Sequence, residues 1–241
     1  MSDWFGSWFD SKYYHILYKN RDLKEAETFI KNITSFIQLN PGAKVLDLAC
    51  GKGRHSIFLN KLGYDVTGLD LSANSIEHAS QFSNEKLNFG THDMRQPIPH
   101  SPYDTIINAF TSFGYFNNPK DDILTLTNVK NALAENGFFI FDFMNVAAVI
   151  ENLVSEESKT IEGVDFELKR YVENKSIFKE IKFSAEGKSY HFTERVDALT
   201  LQDFKLYFDQ VGLKIAHLFG DYQLNSFDSK TSKRLIIVAQ N

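Results

Sequence analysis

The spacing of apolar side chains along the chain predicts helices and strands in alternation. Residues 21–39 have a helical period that ends at the turn of residues 40–42, and residues 45–48 form a short apolar run typical of a buried strand. Further helices are predicted over residues 54–62, from Ser72 onward, and over residues 121–134 and 201–212. Further strands are predicted over residues 66–69, 86–90, 103–110, 138–143, 213–219 and 233–240.

This alternation predicts an α/β fold with a doubly wound, mostly parallel seven-stranded sheet and helices on both faces. Strands that are short and apolar on both faces agree with a sheet that is covered on both sides. The period changes between residues 159 and 199, where turn signals separate strand-like segments. We predict an inserted antiparallel meander there, with three strands near residues 163–172, 176–184 and 188–198.

These patterns divide the chain into three parts. Residues 1–20 are expected to form a lid or cap, and residues 21–158 and 200–241 to form the core. Residues 159–199 are expected to form an inserted subdomain on the substrate side. With 241 residues, of which 43% are hydrophobic, the chain is long enough to bury a core as one domain with an insertion.

Charge and cysteine content narrow the class of protein. The net charge of −5 gives no bulk attraction to nucleic acid or to anionic membranes. A single cysteine, Cys50, excludes an intrachain disulfide and fits a reducing compartment. The first residues lack the basic and apolar segments of a signal or transit peptide, and no apolar run approaches the length of a membrane helix. We therefore expect a cytoplasmic protein without a membrane partner.

The stretch KVLDLACGKG is the most informative, because its apolar strand ends at two glycines. Gly51 and Gly53 would let the backbone turn sharply and pass close to a ligand beyond the strand end. Asp70 ends the next predicted strand, where a carboxylate can accept hydrogen bonds from both hydroxyls of a ribose. The sequence thus predicts a ligand that contains a ribose.

Two residues distinguish between possible ligands of this kind. A nicotinamide dinucleotide fingerprint requires glycine or alanine at position 56, where this chain has Ser56. Asp47 precedes the glycines inside the strand, and its charge would repel a pyrophosphate but attract an ammonium group. S-adenosylmethionine has an ammonium group, a ribose and no phosphate. We therefore expect it as the cofactor, and we expect no metal.

Several motifs in their order resemble those of class I, Rossmann-like S-adenosylmethionine-dependent methyltransferases. VLDLACGKG and VTGLDLS resemble the first two motifs, and HDMRQ resembles the third. YDTIINAFTSFGYF is similar to the fourth motif and LAENGFFIFDF to the loop and strand that follow. YYHILYKNRD resembles the N-terminal helix of small-molecule members, including sugar N-methyltransferases. The resemblance covers about residues 10–145, and the inserted meander is similar only in its placement.

The resemblance implies a set of cofactor-binding residues. Asp47 would support the ammonium group, Asp70 would hold the ribose, and Asp93 would accept a hydrogen bond from the adenine amino group. Others would contact the adenine, line the sulfonium side, pair with the carboxylate or cover the cofactor. The full set is Tyr18, Arg21, Asp47, Ala49, Gly51, Gly53, Asp70, Leu71, Asp93, Met94, Ala109 and Phe110.

Methyl transfer needs alignment of the acceptor, and a hydroxyl acceptor usually also needs a general base. Our catalytic candidates are His191, Tyr14 and Tyr115. His191 shares a predicted strand face with Thr193 and Arg195, although a solvated strand face is the more common meaning of this pattern.

The sequence favours a small-molecule methyl acceptor that is methylated on N or O. Residues 108–111 differ from the [DN]-P-P-[YF] loop that characterises methyltransferases of DNA-base amines. Nucleic acid is therefore disfavoured, although an RNA or protein methyltransferase stays open as an alternative. A cofactor-binding regulator without catalysis also stays open. An aminopropyl transferase is less favoured, because the paired acids that seat a polyamine are absent.

The N-terminal segment is unusually aromatic for a polar sequence. Trp4 and Trp8 lie among residues that are too polar for a core, so we expect them to fold over the pocket or to meet a partner chain. We favour a lid with Tyr14 and Tyr18 facing the pocket; a fixed strap on the sheet and a dimer contact are the alternatives. The chain is accordingly predicted to be a monomer or a homodimer.

Overall fold

The computed structural model describes residues 4–19 and 23–241, which form eight helices and eleven strands. The helices are α1 (Trp4–Phe9), α2 (Lys12–Leu17), α3 (Leu23–Phe36), α4 (Arg54–Lys61), α5 (Ala73–Ser80), α6 (Pro119–Ala132), α7 (Val146–Glu151) and α8 (Leu201–Val211). The strands are β1 (Lys44–Leu48), β2 (Asp65–Asp70), β3 (Leu87–Thr91), β4 (Tyr103–Asn108), β5 (Leu133–Met144), β6 (Glu156–Ile161), β7 (Val164–Glu173), β8 (Ser176–Ala185), β9 (Lys188–Asp197), β10 (Lys214–Phe219) and β11 (Arg234–Gln240).

The central sheet has seven strands in the order β10-β11-β5-β4-β1-β2-β3. Strand β11 is antiparallel to both of its neighbours, and the other paired strands are parallel. This confirms the predicted doubly wound, mostly parallel sheet. The strand order reverses between β1 and β4, so a crevice opens beyond their carboxyl ends, where ligands bind in such sheets.

Two hydrophobic layers cover the two faces of the central sheet. Val45 of β1 packs with Phe29 of α3 and Leu59 of α4 on one face. Leu46 packs with side chains such as Phe208 of α8 on the other face. Successive residues of a strand point to opposite faces, which is why strands buried on both sides lack polar alternation. The predicted core helices and strands are all present, with ends shifted by a few residues, and the short α7 is additional.

The insertion is a separate antiparallel sheet in the order β6-β7-β8-β9. The prediction gave three strands, and the structure adds β6 as a fourth, so that the sheet begins at Glu156. Four of the six residues of β6 are exposed, and it pairs with β7 alone. A polar edge strand of this kind satisfies its backbone on one side without an apolar pattern, and its charges discourage further pairing. Hydrophobic spacing therefore could not reveal it.

Helices α1 and α2 pack on the inserted sheet through a third hydrophobic cluster. Trp8 is completely buried there, and its ring centroid lies 4.5 Å from that of Phe192 in β9. The expectation that Trp8 lies in a segment too polar for a core is therefore wrong, because the apolar face of the inserted sheet supplies that core. The side chain of Trp4 lies outside the described part of the structure. Within residues 4–19 and 23–241, no helix is both long and apolar enough to cross a membrane.

Candidate active site

A cavity of about 370 Å³ lies beyond the carboxyl ends of β1, β2 and β4. Helix α2 contributes Tyr14 and His15 to its wall, and Tyr18 follows from the end of that helix. Of the predicted site residues, eleven line the cavity: Tyr14, Tyr18, Ala49, Gly51, Asp70, Leu71, Asp93, Met94, Ala109, Phe110 and Tyr115. Asp47, Gly53 and His191 do not line it, and Arg21 lies outside the described residues.

The turn after β1 has a left-handed backbone at Ala49, Gly51 and Gly53. A Cβ atom on Gly51 would meet nothing within 4 Å, so this glycine leaves open space at the cavity wall. A Cβ atom on Gly53 would lie 2.8 Å from the ring of Phe89. The two glycines therefore have different roles. Gly51 keeps the backbone bare beside the cavity, and Gly53 allows α4 to pack closely on β3.

Asp70 is held by two backbone amides at the end of β2. Gly51 N donates to Oδ2 at 2.7 Å, and Ser72 N donates to Oδ1 at 2.8 Å. Each carboxylate oxygen keeps further lone pairs, so both can still accept a hydrogen bond from a hydroxyl of a ligand in the cavity. Burial raises the pKa of Asp70 above its usual value, and the two amide bonds oppose this shift. The carboxylate is thus fixed in place and suited to a ribose diol.

Asp47 lies behind the glycine turn instead of in the cavity wall. Its side chain is 1% exposed and accepts a hydrogen bond of 2.5 Å from Ser56 Oγ in α4. Burial raises the pKa of Asp47 to about 6, although the bond from Ser56 opposes the shift. The predicted support of an ammonium group by Asp47 stays a prediction, and any such support would be given from behind the turn. The observed role of Asp47 is to connect the end of β1 to the first turn of α4.

Asp93 lies on the cavity wall beside Met94. Arg95 binds Asp93 with both Nε and Nη2, at 3.0 Å to Oδ1 and 2.7 Å to Oδ2. Burial would raise the pKa of Asp93, but these bonds from Arg95 outweigh it and hold the pKa below its usual value. Asp93 is thus a charged acceptor with a fixed orientation. Met94 therefore lines the cavity and also packs against the hydrophobic core.

Ala109 and Phe110 line the cavity after β4, and Phe110 has an unusual left-handed backbone with φ of 63°. Asp142, which is completely buried in β5, stabilises this turn by accepting from Phe110 N at 2.8 Å. Arg234 Nε and the Tyr222 hydroxyl also donate to Asp142, at 2.7 and 2.9 Å. Strain of this kind persists only where surrounding contacts hold it. Sequence reasoning missed this network, because its members come from β5, β11 and the loop between β10 and β11.

The roof of the cavity is aromatic. The ring centroids of Tyr14 and Tyr18 are 4.9 Å apart, and Phe9 lies 5.3 Å from Tyr115. The hydroxyl of Tyr115 donates to the carbonyl oxygen of Thr111. Because that proton is already engaged, Tyr115 is better placed to shape the cavity than to exchange protons.

His191 is the catalytic candidate that lies away from the cavity. Its neighbours in β9, Tyr190 and Phe192, face α1 and α2, so the imidazole lies on the other face of the inserted sheet. The side chain is 54% exposed, and Nε2 lies 3.8 Å from Glu180 Oε2. The alternation predicts a strand with two different faces, but it does not show that the face of His191 points away from the helices that cover the cavity.

Three other histidines line the cavity: His15, His55 and His92. Burial lowers the pKa of His92, and its Nε2 is buried without a hydrogen-bond partner among the described residues. No sequence motif fixes any of these three histidines, so only the structure brings them together at the cavity. Sequence reasoning missed Lys52 and Arg54, which also line the cavity; the Arg54 guanidinium stacks 3.8 Å from the centre of the Phe110 ring. Their positions on either side of Gly53 were the available signal.

A family model described as a methyltransferase domain matches residues 39–195. Among curated proteins, the chain is 31% identical over 137 residues to a glycine/sarcosine N-methyltransferase of Aphanothece halophytica, covering 54% of this chain and 50% of that protein. The aligned segments span half or less of the length of the first curated relatives. The resemblance found in the motifs is confirmed by the family match.

Solved structures show the same fold. An S-adenosylmethionine-dependent methyltransferase from Clostridium acetobutylicum ATCC 824 aligns with a TM-score of 0.80 and 20% identity, covering 95% of each chain. The sugar N-methyltransferase KedS8 from Streptoalloteichus sp. ATCC 53650 aligns with a TM-score of 0.73 and 18% identity, covering 95% of this chain and 92% of that chain. The alignments include the inserted sheet as well as the core, since nearly the whole chain is covered.

Proposed function

The chain belongs to the methyltransferase domain family, and from this premise we propose that it transfers a methyl group from S-adenosylmethionine to a nitrogen or oxygen of a small molecule. The observation that carries the proposal is the cavity in which Asp70, Gly51 and Asp93 meet. Asp70 offers two oxygens with spare lone pairs to a ribose, and the bare backbone at Gly51 leaves space beside it. Asp93 offers a charged acceptor to an adenine amino group.

The residues of the cavity fit this cofactor in charge as well as in shape. Arg54 brings a guanidinium to the wall beside the glycine turn, which suits the cofactor carboxylate. Leu71 and Met94 provide apolar surface near Asp93, which suits a purine ring. The cofactor supplies a methyl group on a positively charged sulfonium, and the sulfur leaves readily as a neutral thioether. The protein therefore has to orient the acceptor and exclude water, and it does not have to activate the leaving group.

The aromatic roof performs these two tasks in our proposal. Phe9, Tyr14 and Tyr115 surround the space next to Ala109 and Phe110, so an acceptor there would be desolvated. An amine in its neutral form needs no strong base, whereas a hydroxyl acceptor would need one of the cavity histidines. Burial lowers the pKa of His92, which favours the neutral form that a general base requires. Two relatives are named as N-methyltransferases, which supports an amine acceptor.

The first test is calorimetric titration with S-adenosylhomocysteine. We expect Asp70→Ala to weaken binding by about 1.5–3 kcal/mol, since hydrogen bonds to a charged group are lost. Asp65→Ala is the matched control, because Asp65 lies at the other end of β2 and does not line the cavity. Unchanged affinity in the Asp70 variant would contradict the proposed ribose site.

The second test identifies the acceptor. Cell metabolite extracts are incubated with the methyl-labelled cofactor, and labelled products are separated by mass. We expect one small-molecule product whose formation requires Asp70. Stoichiometric binding with no transfer to any extract would instead favour a regulator that binds the cofactor without catalysis. Label that appears in RNA or protein would favour those acceptor classes.

A further inference from the structure

Two polar residues of the inserted sheet reach the roof of the cavity from behind. Lys179 in β8 and Glu194 in β9 are directly opposite each other in the strand pairing. Their side chains are each 14% exposed, and Lys179 Nζ lies 3.8 Å from Glu194 Oε2. Neither residue lines the cavity. Any effect of this pair on a ligand in the cavity must therefore pass through the residues that the pair contacts.

The residue that it holds most closely is Tyr18, which does line the cavity. The Tyr18 hydroxyl donates to Glu194, at 2.8 Å to Oε1 and 2.7 Å to Oε2, and accepts from Lys179 Nζ at 2.7 Å. Lys179 Nζ also lies 4.5 Å from the centre of the Tyr18 ring. A phenol bound on both sides by charged groups has one preferred position, because charge-assisted hydrogen bonds are strong and directional.

The same carboxylate also holds the neighbouring helix. Trp8 Nε1 in α1 donates to Glu194 Oε1 at 2.7 Å. Tyr14 lies between these anchors, since its ring is 5.6 Å from Trp8 and 4.9 Å from Tyr18. Glu194 thus fixes both sides of the aromatic layer that covers the cavity.

The energetics favour positioning over stability as the role of this pair. Burial lowers the pKa of Lys179 below the usual value of a lysine, and the charge of Glu194 opposes that shift. Taking two charges out of water costs free energy that their attraction seldom exceeds, and apolar replacements are often as stable. What such a pair can supply is a single arrangement of the groups bound to it.

We propose that Lys179 and Glu194 are positioning residues that hold the Tyr18 ring over the cofactor cavity, so that the inserted sheet controls a site it does not line. This inference rests on the proposed function. It assigns to β8 and β9 a role in cofactor binding, in addition to the acceptor role expected for the insertion. It also explains why lysine and glutamate lie opposite each other on the otherwise apolar inner face of these strands, beside Ile181 and Phe192.

A double-mutant cycle tests the inference, with the affinity for S-adenosylhomocysteine as the readout. The four proteins are the unmodified chain, Lys179→Met, Tyr18→Phe and the double variant. We expect Lys179→Met to weaken binding roughly three- to tenfold when Tyr18 is present, and by less than about twofold in the Tyr18→Phe background. Lys182→Met is the matched control, because this lysine of the same strand is 54% exposed on the other face.

Equal losses in both backgrounds would overturn the inference, since they would indicate a general effect on folding instead of an effect through the hydroxyl. No loss in either background would overturn it as well. If Lys179→Met does not fold, Glu194→Gln replaces it in the cycle, because glutamine keeps the shape and one acceptor for Trp8. Failure of the unmodified protein to bind would contradict the proposed function, whereas binding that is insensitive to these changes would contradict the positioning role alone.

Discussion

The backbone amide of Gly51 donates a hydrogen bond of 2.7 Å to the carboxylate of Asp70. This bond joins the turn after β1 to the end of β2, so the two sequence motifs form one structural unit. It fixes the carboxylate before any ligand arrives, which lowers the entropic cost of binding. The spacing between the two motifs therefore reflects a direct contact as well as a shared ligand.

The first prediction separates the two glycines of that turn. Gly53→Ala should lower the free energy of unfolding by roughly 1–3 kcal/mol, because it combines a left-handed backbone with a contact of 2.8 Å to Phe89. Gly51→Ala should cost only about 1 kcal/mol of stability, since its new methyl group meets open space. It should instead weaken binding of S-adenosylhomocysteine, because Gly51 borders the cavity.

Urea unfolding and calorimetry measure the two effects separately. Adding Phe89→Leu to Gly53→Ala should recover part of the lost stability, because the smaller side chain relieves the contact. If Gly51→Ala binds the ligand as tightly as the unmodified protein, the backbone at Gly51 does not approach the ligand.

The sequence predicted this part of the molecule well because its signals are local. A buried strand, a glycine turn and an acid at the end of the next strand occur within one βαβ unit, and each has a direct physical reason. Their positions in the cavity wall, at Gly51 and Asp70, agree with the expectation. Asp47 belongs to the same stretch, but its burial behind the turn could not be predicted, because it depends on the packing of α4 and its bond from Ser56.

Features that depend on distant segments could not be predicted. Asp142 holds the Phe110 turn with Arg234 and Tyr222, and these residues become neighbours only when β11 pairs with β5 in the folded sheet. Trp8 is buried because the inserted sheet presents an apolar face to α1, which a count of polar neighbours in the sequence cannot show. Contacts between residues that are distant in the sequence therefore determine the features that local sequence patterns could not predict.

The second prediction concerns the pH dependence of stability. Burial raises the pKa of Asp47 to about 6, so the folded protein binds a proton there more tightly than the unfolded chain does. A raised acid pKa means that stability falls as pH rises from about 4 to 6. Asp47→Asn removes this titration. Between pH 5 and pH 8, its stability relative to the unmodified protein should therefore increase by on the order of 1 kcal/mol.

Urea unfolding at the two pH values gives this difference. Comparison with the unmodified protein is necessary, because burial also raises the pKa of Asp122 to about 7 and acts in the same direction. A stability difference that does not change between pH 5 and pH 8 would show that Asp47 is ionised in the folded protein throughout.

The third prediction concerns the acceptor side. Arg195 Nη1 donates to the carbonyl oxygen of Phe116 at 3.1 Å and thereby supports the loop that carries Tyr115. Loss of this bond should displace Tyr115, which shapes the space for the acceptor. Arg195→Ala should therefore lower turnover roughly ten- to hundredfold, because a small misplacement of the reacting acceptor is costly. Cofactor affinity should stay within a few fold. His191→Ala is the matched control, since His191 lies on the same strand away from the cavity.

Formation of the labelled product measures turnover, and calorimetry measures cofactor affinity. Lysine at position 195 keeps the charge and one donor, so Arg195→Lys should recover part of the activity. A loss of turnover in His191→Ala equal to that in Arg195→Ala would contradict a role that depends on the bond of Arg195 to Phe116, because His191 lies on the same strand face and does not line the cavity.

The fourth prediction tests the lid. Asp10, in the turn between α1 and α2, accepts from Ser72 Oγ at 2.7 Å and from Asn74 N at 3.0 Å. It therefore fastens the N-terminal segment to the start of α5, next to Asp70. Asp10→Ala should speed amide hydrogen exchange across residues 4–19 and weaken binding of S-adenosylhomocysteine roughly three- to tenfold. Lys12→Ala is the control, because Lys12 pairs with Glu186 on the exposed side of the same segment.

A segment that opens to admit ligand should exchange quickly without ligand and become protected when S-adenosylhomocysteine is bound. In Asp10→Ala the unliganded segment should exchange faster, while saturating ligand should still protect it, because Tyr14 and Tyr18 keep their place at the cavity wall. Equal protection with and without ligand in the unmodified protein would rule out a lid and would favour a fixed strap, as the complete burial of Trp8 alone would suggest. Protection that rises with protein concentration would instead indicate a contact between two copies of the chain. The Asp10 variant distinguishes a lid from a fixed strap, because Asp10 is bonded to Ser72 at the cavity wall, whereas Trp8 is bonded to Glu194 behind the roof.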